Sequence, residues 1–132
     1  MKRLSRRIPS RLENVAPFIQ EALEAFKELA LADRDVFSLK LCLEEALTNA
    51  IRHGSKLDPA LSVAVEIELG PDKIVMSVRD QGDGFDEARL ADPTRGARAG
   101  EPGGRGVFLI KKLMDEVEYF DGGRGVRMAK RL

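Results

Sequence analysis

The sequence predicts an α+β domain built as a two-layer α/β sandwich, a mostly antiparallel sheet with helices stacked on one side. Three observations lead there. Two long segments repeat apolar residues every three or four positions, and two pairs of alternating segments are joined by the short turns "GPD" and "DGGRG". The resulting order is one strand, two helices, two strands, a long loop, one helix and two strands. Strands that are mostly hairpin-linked, beside helices with one apolar face each, bury that face by layering.

Residues 2 to 8 suit a short edge strand, with basic residues on the exposed side and Leu4 and Ile8 pointing inward. Ser10 suits a helix cap. From about 11 to 31, Leu12, Val15, Ile19, Leu23, Phe26 and Ala30 make one face of a helix. A second helix follows the "ADRD" break, from about 34 to 53, and ends at Gly54. In "LSVAVEIELG", Val63, Val65, Ile67 and Leu69 alternate, and "DKIVMSVRD" completes a hairpin. Residues 81 to 103 are rich in Gly, Pro, Ala, Arg and Asp without a clear period, apart from a short turn near "DEARLA"; a loop of this length in a small domain is functional or mobile. "GGRGVFLIKKLM" reads as a glycine-rich entry into a third helix, and "DEVEYF" and "VRMAKRL" close the chain as a second hairpin.

The 132 residues are expected to form a single domain, 1–132, since a chain of about 150 residues buries roughly two-thirds of its unfolded surface. Basic and acidic residues balance at 22 each, so no global field argues for nucleic acid or an acidic membrane. Cys42 has no second thiol to pair with, which excludes a disulfide framework, favours a reducing compartment and leaves Cys42 as core. The opening "MKRLSRRIPSR" is not followed by an apolar run of signal length, and no segment has the length to cross a bilayer. A soluble, cytoplasmic protein is expected.

Three polar clusters could carry chemistry. On the second helix, Leu39, Leu43, Leu47 and Ala50 form the core stripe, while Glu45, Asn49 and His53 fall on another face at intervals of four. A solvated face is the plain alternative; the functional one is a carboxylate base beside an amide that offers oxygen to a hard cation such as Mg²⁺. In "RDQGDGFD", Asp80 ends a strand, with Gly82 and Gly84 after it. A calcium loop counted from Asp80 or Asp83 would end on Ala91 or Thr94, neither of them the required glutamate. A tight turn remains, or an acceptor carboxylate against a backbone that a planar ligand can approach. At the start of the third helix, Gly103, Gly104, Arg105 and Gly106 offer free amides and a positive charge to a phosphate, or simply a flexible loop. They form neither a P-loop nor a dinucleotide fingerprint, and protein-kinase signatures are absent.

Taken together, the clusters resemble the ATP-binding fold shared by gyrase-type ATPases, histidine kinases and bacterial anti-sigma factor serine kinases, the GHKL superfamily. "EEALTNAIRHG" resembles its N box and "DQGDGFD" its first glycine box, while "GGRGVFLIKKLMDEVEY" is similar to the anti-sigma kinase subgroup. The resemblance implies a mixed, mostly antiparallel sheet covered on one face by helices, with ATP and Mg²⁺ as cofactors. It implies Glu45 as general base, Asn49 as the Mg²⁺ ligand, and Asp80 as acceptor of the adenine amino hydrogen. Gly82 and Gly84 would let the base lie against the backbone, and residues 86–103 would form a mobile lid. Gly104, Arg105, Gly106, Val107 and Phe108 would wrap the phosphates, and His53 would lie on the ATP side rather than act as phosphoacceptor. Thr48 matches the subgroup's helix and is read as structural.

The implied activity is that of an ATP-dependent serine kinase that phosphorylates a small STAS-type anti-sigma antagonist and otherwise sequesters a sigma factor. A homodimer without direct nucleic-acid or membrane binding is implied with it. Two alternatives are a nucleotide-binding regulatory module with little or no kinase activity and a detached histidine kinase catalytic domain. Only one helix precedes the N-box helix, where a histidine kinase would need a dimerisation pair. The family often has a threonine in the final hairpin, where "DGGRGVRMAK" offers glycine and arginine.

Overall fold

The structure, a computed structural model, describes residues 2–58, 60–81 and 104–132, with side chains from 107 onward in the last stretch. The five strands are β1 (Lys2–Pro9), β2 (Ser62–Leu69), β3 (Lys73–Asp80), β4 (Glu116–Phe120) and β5 (Gly125–Arg131), in spatial order β1-β2-β3-β5-β4. Every described pairing is antiparallel. The helices are α1 (Val15–Lys27), α2 (Asp33–Asn49) and α3 (Gly104–Leu113). None of the described helices is long and apolar enough to cross a membrane.

Strand alternation sets the two faces of the sheet. Val63, Val65, Ile67 and Leu69 of β2, Ile74, Met76 and Val78 of β3, and Val126 and Met128 of β5 point the same way and are buried under the helices. The opposite face carries charge: Arg3 pairs with Glu66 at 3.7 Å and Glu68 at 3.2 Å, and Lys73 with Glu116 at 3.9 Å. On β1, Leu4 and Ile8 pack inward as expected. Lys2 and Arg6 share their side of the strand and pair with Glu28, just past the end of α1, and Glu21 within it, so half of the basic residues tie the edge to a helix instead of facing outward.

The first helix is shorter than its apolar pattern. A 3₁₀ turn covers Leu12–Asn14, α1 starts at Val15, and Ala30, at φ 50°, ends the turn that follows the helix. Ser10 is not the cap. Its hydroxyl is buried and has no hydrogen-bond partner, while Asn14 Nδ2 donates to the Pro9 carbonyl at 2.9 Å. Pro17 lies in the first turn of α1, where its missing N–H costs nothing because that donor would be an orphan anyway.

In α2, Asp33 and Asp35 occupy the first turn, where negative charge opposes the positive end of the helix dipole. Leu39, Leu43 and Leu47 are completely buried, together with Cys42. Past Asn49 the helix does not simply stop. Residues Ala50–Gly54 form a π turn, closed by the Ser55 N–H donating to the Ala50 carbonyl at 2.8 Å. One more residue is spanned than in an α turn.

Since Leu43 is wholly enclosed between helix and sheet, Leu43→Ala is expected to destabilise the fold by about 2–5 kcal/mol in urea unfolding. Glu66→Ala, which removes an exposed ion pair, is expected to cost under about 1 kcal/mol.

Candidate functional site

Asp80 is the last residue of β3, and alternation turns its side chain to the helix-covered face, where it is only 4% exposed. A carboxylate this buried needs polar company. It lies directly against Gly54, the last residue of the π turn: a Cβ there would sit 2.2 Å from Asp80 Oδ2. Only glycine permits the approach. The backbone N–H of Asp80 donates to the Arg124 carbonyl at 2.9 Å, which binds the end of β3 to the β4–β5 turn.

Around Asp80 is a cleft of roughly 300 Å³, partly open to solvent. Ala46 and Ala50 of α2, Val78, Ile110 of α3, Tyr119 and Val126 make its apolar walls, and Asn49, Asp80 and Arg124 bring polar groups to it. A mostly apolar lining with few polar groups is the usual composition of a small-ligand site. The two alanines are the smallest side chains in those apolar walls, and Asp80 brings a buried acceptor to the cleft.

Of the residues expected from the sequence, Asn49 and Asp80 are brought together in this cleft. Glu45 is half-buried one turn before Asn49 and is not among the lining residues. Its charge reaches inward: burial, then the Glu45 carboxylate, push the Cys42 thiol up to about 12, so Cys42 is an inert core group. His53 is half-buried and likewise outside the lining, because the π turn breaks the four-residue spacing that would stack it over Asn49. Burial first, and then the charge of Arg52, hold its imidazole below the ordinary 6.5.

Gly104, Arg105 and Gly106 form the first turn of α3. Val107 is fully buried, whereas Phe108 is 42% exposed beside the Lys112 ammonium. Gly82, Gly84 and the segment 86–103 lie outside the described residues. Among the described residues no group of three or more His, Cys, Asp or Glu could hold a metal ion. A single amide oxygen such as that of Asn49 suits Mg²⁺, which is commonly held by one or two protein oxygens plus the phosphates of a substrate.

Two features of the cleft were not anticipated. Tyr119 enters it from β4, a position that strand alternation alone would have assigned, since Tyr119 pairs with Val126. The wall from Gly123 to Val126 carries no threonine. The side chain that the hairpin brings to the cleft next to Val78 is Val126, not a glycine, and Gly125 is required on the other face because the Phe120 ring covers it.

The family pattern described as the histidine kinase-like ATPase domain matches residues 8–130. The chain belongs to that family. The five-stranded antiparallel sheet with helices over one face is consistent with the family's α+β fold. Among its relatives, a protein named serine-protein kinase RsbW of Bacillus licheniformis is 36% identical over 106 residues, covering 73% of this chain and 64% of the relative. The RsbW of Listeria innocua is 35% identical over 99 residues, covering 70% and 63%. That of Staphylococcus aureus strain MSSA476 is 30% identical over 132 residues, covering 94% and 83%. The chain therefore spans just under two-thirds of the length of the first two.

Gly54→Ala is expected to drive a methyl group into the Asp80 carboxylate, costing about 1–3 kcal/mol of stability in urea unfolding and weakening any ligand held by Asp80. The His53 imidazole is expected to titrate below 6.5 by NMR, with Arg52→Gln moving the midpoint upward. A lowered folded-state pKa means that the unfolded chain takes up the proton first. The contribution of His53 is therefore complete above pH 6.5 and is lost as pH falls from there through the folded midpoint.

Proposed function

We propose that this chain is an ATP-dependent serine protein kinase that acts as an anti-sigma regulatory factor. Its substrate would be a serine on a small STAS-type antagonist protein, and its other partner a sequestered sigma factor, in a cytoplasmic homodimer. The observation that carries the nucleotide half of this reading is the convergence of Asn49 and Asp80 on one apolar cleft. The names of the relatives, serine-protein kinases, support the reaction.

Each residue then has a physical task. Asp80 accepts the exocyclic amino hydrogen of adenine at the closed end of the cleft, and the apolar walls exclude water from the ring. Gly82 and Gly84 give the base access to the backbone. Asn49 offers its side-chain oxygen to Mg²⁺, and the bound Mg·ATP supplies the phosphoryl group and the charge neutralisation its transfer requires. The first turn of α3, with Gly104, Arg105 and Gly106 followed by Val107 and Phe108, presents backbone N–H groups and a favourable dipole to the phosphates. Glu45, half-buried on the same helix as Asn49, takes the proton from the attacking serine hydroxyl, and His53 stays neutral at the ATP-facing end of that helix.

Val126 supports a second reading. An apolar side chain at the hairpin position beside Val78 gives the adenine edge no hydrogen bond, as suits a nucleotide-binding regulatory module with little kinase activity.

Glu45→Ala is expected to bind ATP with near wild-type affinity in calorimetry and to lose about 10²–10⁴-fold in transfer to the co-purified partner. Transfer at the wild-type rate would remove Glu45 from the role of base. Tight ATP binding by the wild-type chain, with no phosphate gained by any partner in intact-mass measurements, would favour the regulatory module. Asp80→Asn is expected to abolish ATP binding, because an amide that turns its NH₂ toward the adenine amino group offers no acceptor.

A further inference from the structure

One wall of the cleft is the turn between β4 and β5. Gly123 and Arg124 belong to that turn, Gly125 opens β5, and the Asp80 N–H donating to the Arg124 carbonyl at 2.9 Å ties the wall to β3 along the backbone. The backbone there is unusual: Asp121, Gly122 and Gly123 lie consecutively at positive φ, 55°, 64° and 87°. Two are glycines, for which this is ordinary; Asp121 is not.

The Asp121 carboxylate is also engaged by two arginines. Its Oδ2 accepts from Arg79 Nε at 2.8 Å and lies 2.6 Å from Arg79 Nη2, so the guanidinium grips it through two nitrogens. Its Oδ1 is 3.7 Å from Arg124 Nη1, and its carbonyl accepts the Arg124 N–H at 3.2 Å. Arg79 is the residue before Asp80 and points to the uncovered face of the sheet, while Asp80 points into the cleft. The end of β3 is thus held from both sides: Gly54 abuts the Asp80 side chain within, and Asp121 holds Arg79 without.

We infer that Asp121 is a positioning residue for the nucleotide cleft. By clamping the β4–β5 turn to Arg79, it acts together with the backbone hydrogen bond from Asp80 to Arg124 to hold the Gly123–Arg124 part of the wall against β3, and so tunes the width of the slot that admits the base. The inference rests on the reading of the cleft as a nucleotide site. It adds a specificity determinant that touches no part of the ligand. The clamp is charge-assisted, with two guanidinium nitrogens converging on one carboxylate oxygen. Released, the turn has two glycines with which to move.

The test is calorimetric titration of the full chain with Mg·ATP and with Mg·GTP, for wild type, Asp121→Asn, Asp121→Gly, Arg79→Gln, the Arg79→Gln/Asp121→Asn double variant, and Asp80→Asn as reference. Asn tolerates the left-handed conformation as Asp does, and Gly relieves it, so the two substitutions separate lost charge from backbone strain. Both are expected to weaken ATP binding about tenfold, or ~1.4 kcal/mol, and to narrow the ATP-over-GTP preference, with kcat at saturating ATP unchanged. The double variant is expected to be no weaker than either single one, since both remove the same interaction. ATP affinity and base preference within twofold of wild type, in a variant that still melts cooperatively, would overturn the positioning role while leaving the nucleotide site intact through the Asp80→Asn loss. A wild-type chain that binds neither nucleotide would overturn both.

Discussion

The contact between Gly54 and the Asp80 carboxylate is the constraint on which the site depends. It joins the two layers at the one point where both must be polar. Helix α2 brings Asn49 to the cleft, β3 brings Asp80, and their relative placement is decided where the end of the first meets the end of the second. Were a side chain present at 54, either the Asp80 carboxylate or the π turn would have to shift, and Asp80 would no longer meet the cleft walls of Ala46, Ala50, Val78 and Val126 in the same place.

The rest of the fold keeps this junction rigid by ordinary means. Beneath it the core is dry and closely packed, from Leu39 to Ile51 on the helix and from Val63 to Met128 across three strands. Cys42 reports on that dryness, since its thiol is held protonated chiefly by burial and secondarily by Glu45. Glu45, half-buried on α2, stands on the boundary between core and solvent. The ion pairs of the uncovered face have another role. Each contributes little to stability, but together they keep a broad face of the sheet polar.

Much of this was legible in the residues. Alternation and the "GPD" and "DGGRG" turns located four strands within a residue or two, because hairpins are written locally. The core stripe of α2 followed from its spacing, and Asn49 with Asp80 from residue type and position. What could not be read depends on long-range contact. Ser10 has the composition of a cap but is buried against Leu61, to whose carbonyl its N–H donates at 3.0 Å. Gly54 looked like a helix terminator, and only the folded chain brings Asp80, 26 positions later in the sequence, against it. Arg79 and Asp121 are 42 residues apart, and nothing local marks either as the other's partner.

The π turn at Ala50–Gly54 bears on how relatives of this chain can vary. A turn closed over five residues instead of four amounts to an insertion concealed inside a helix of ordinary length. Loss of one residue from this stretch would leave the upstream apolar stripe of α2 unchanged, yet rotate everything after it by about a quarter of a turn. Among chains that keep Asn49 and Asp80 in register, length should therefore be conserved between them up to position 54, and gaps displaced to the exposed stretch at 56–58 or beyond.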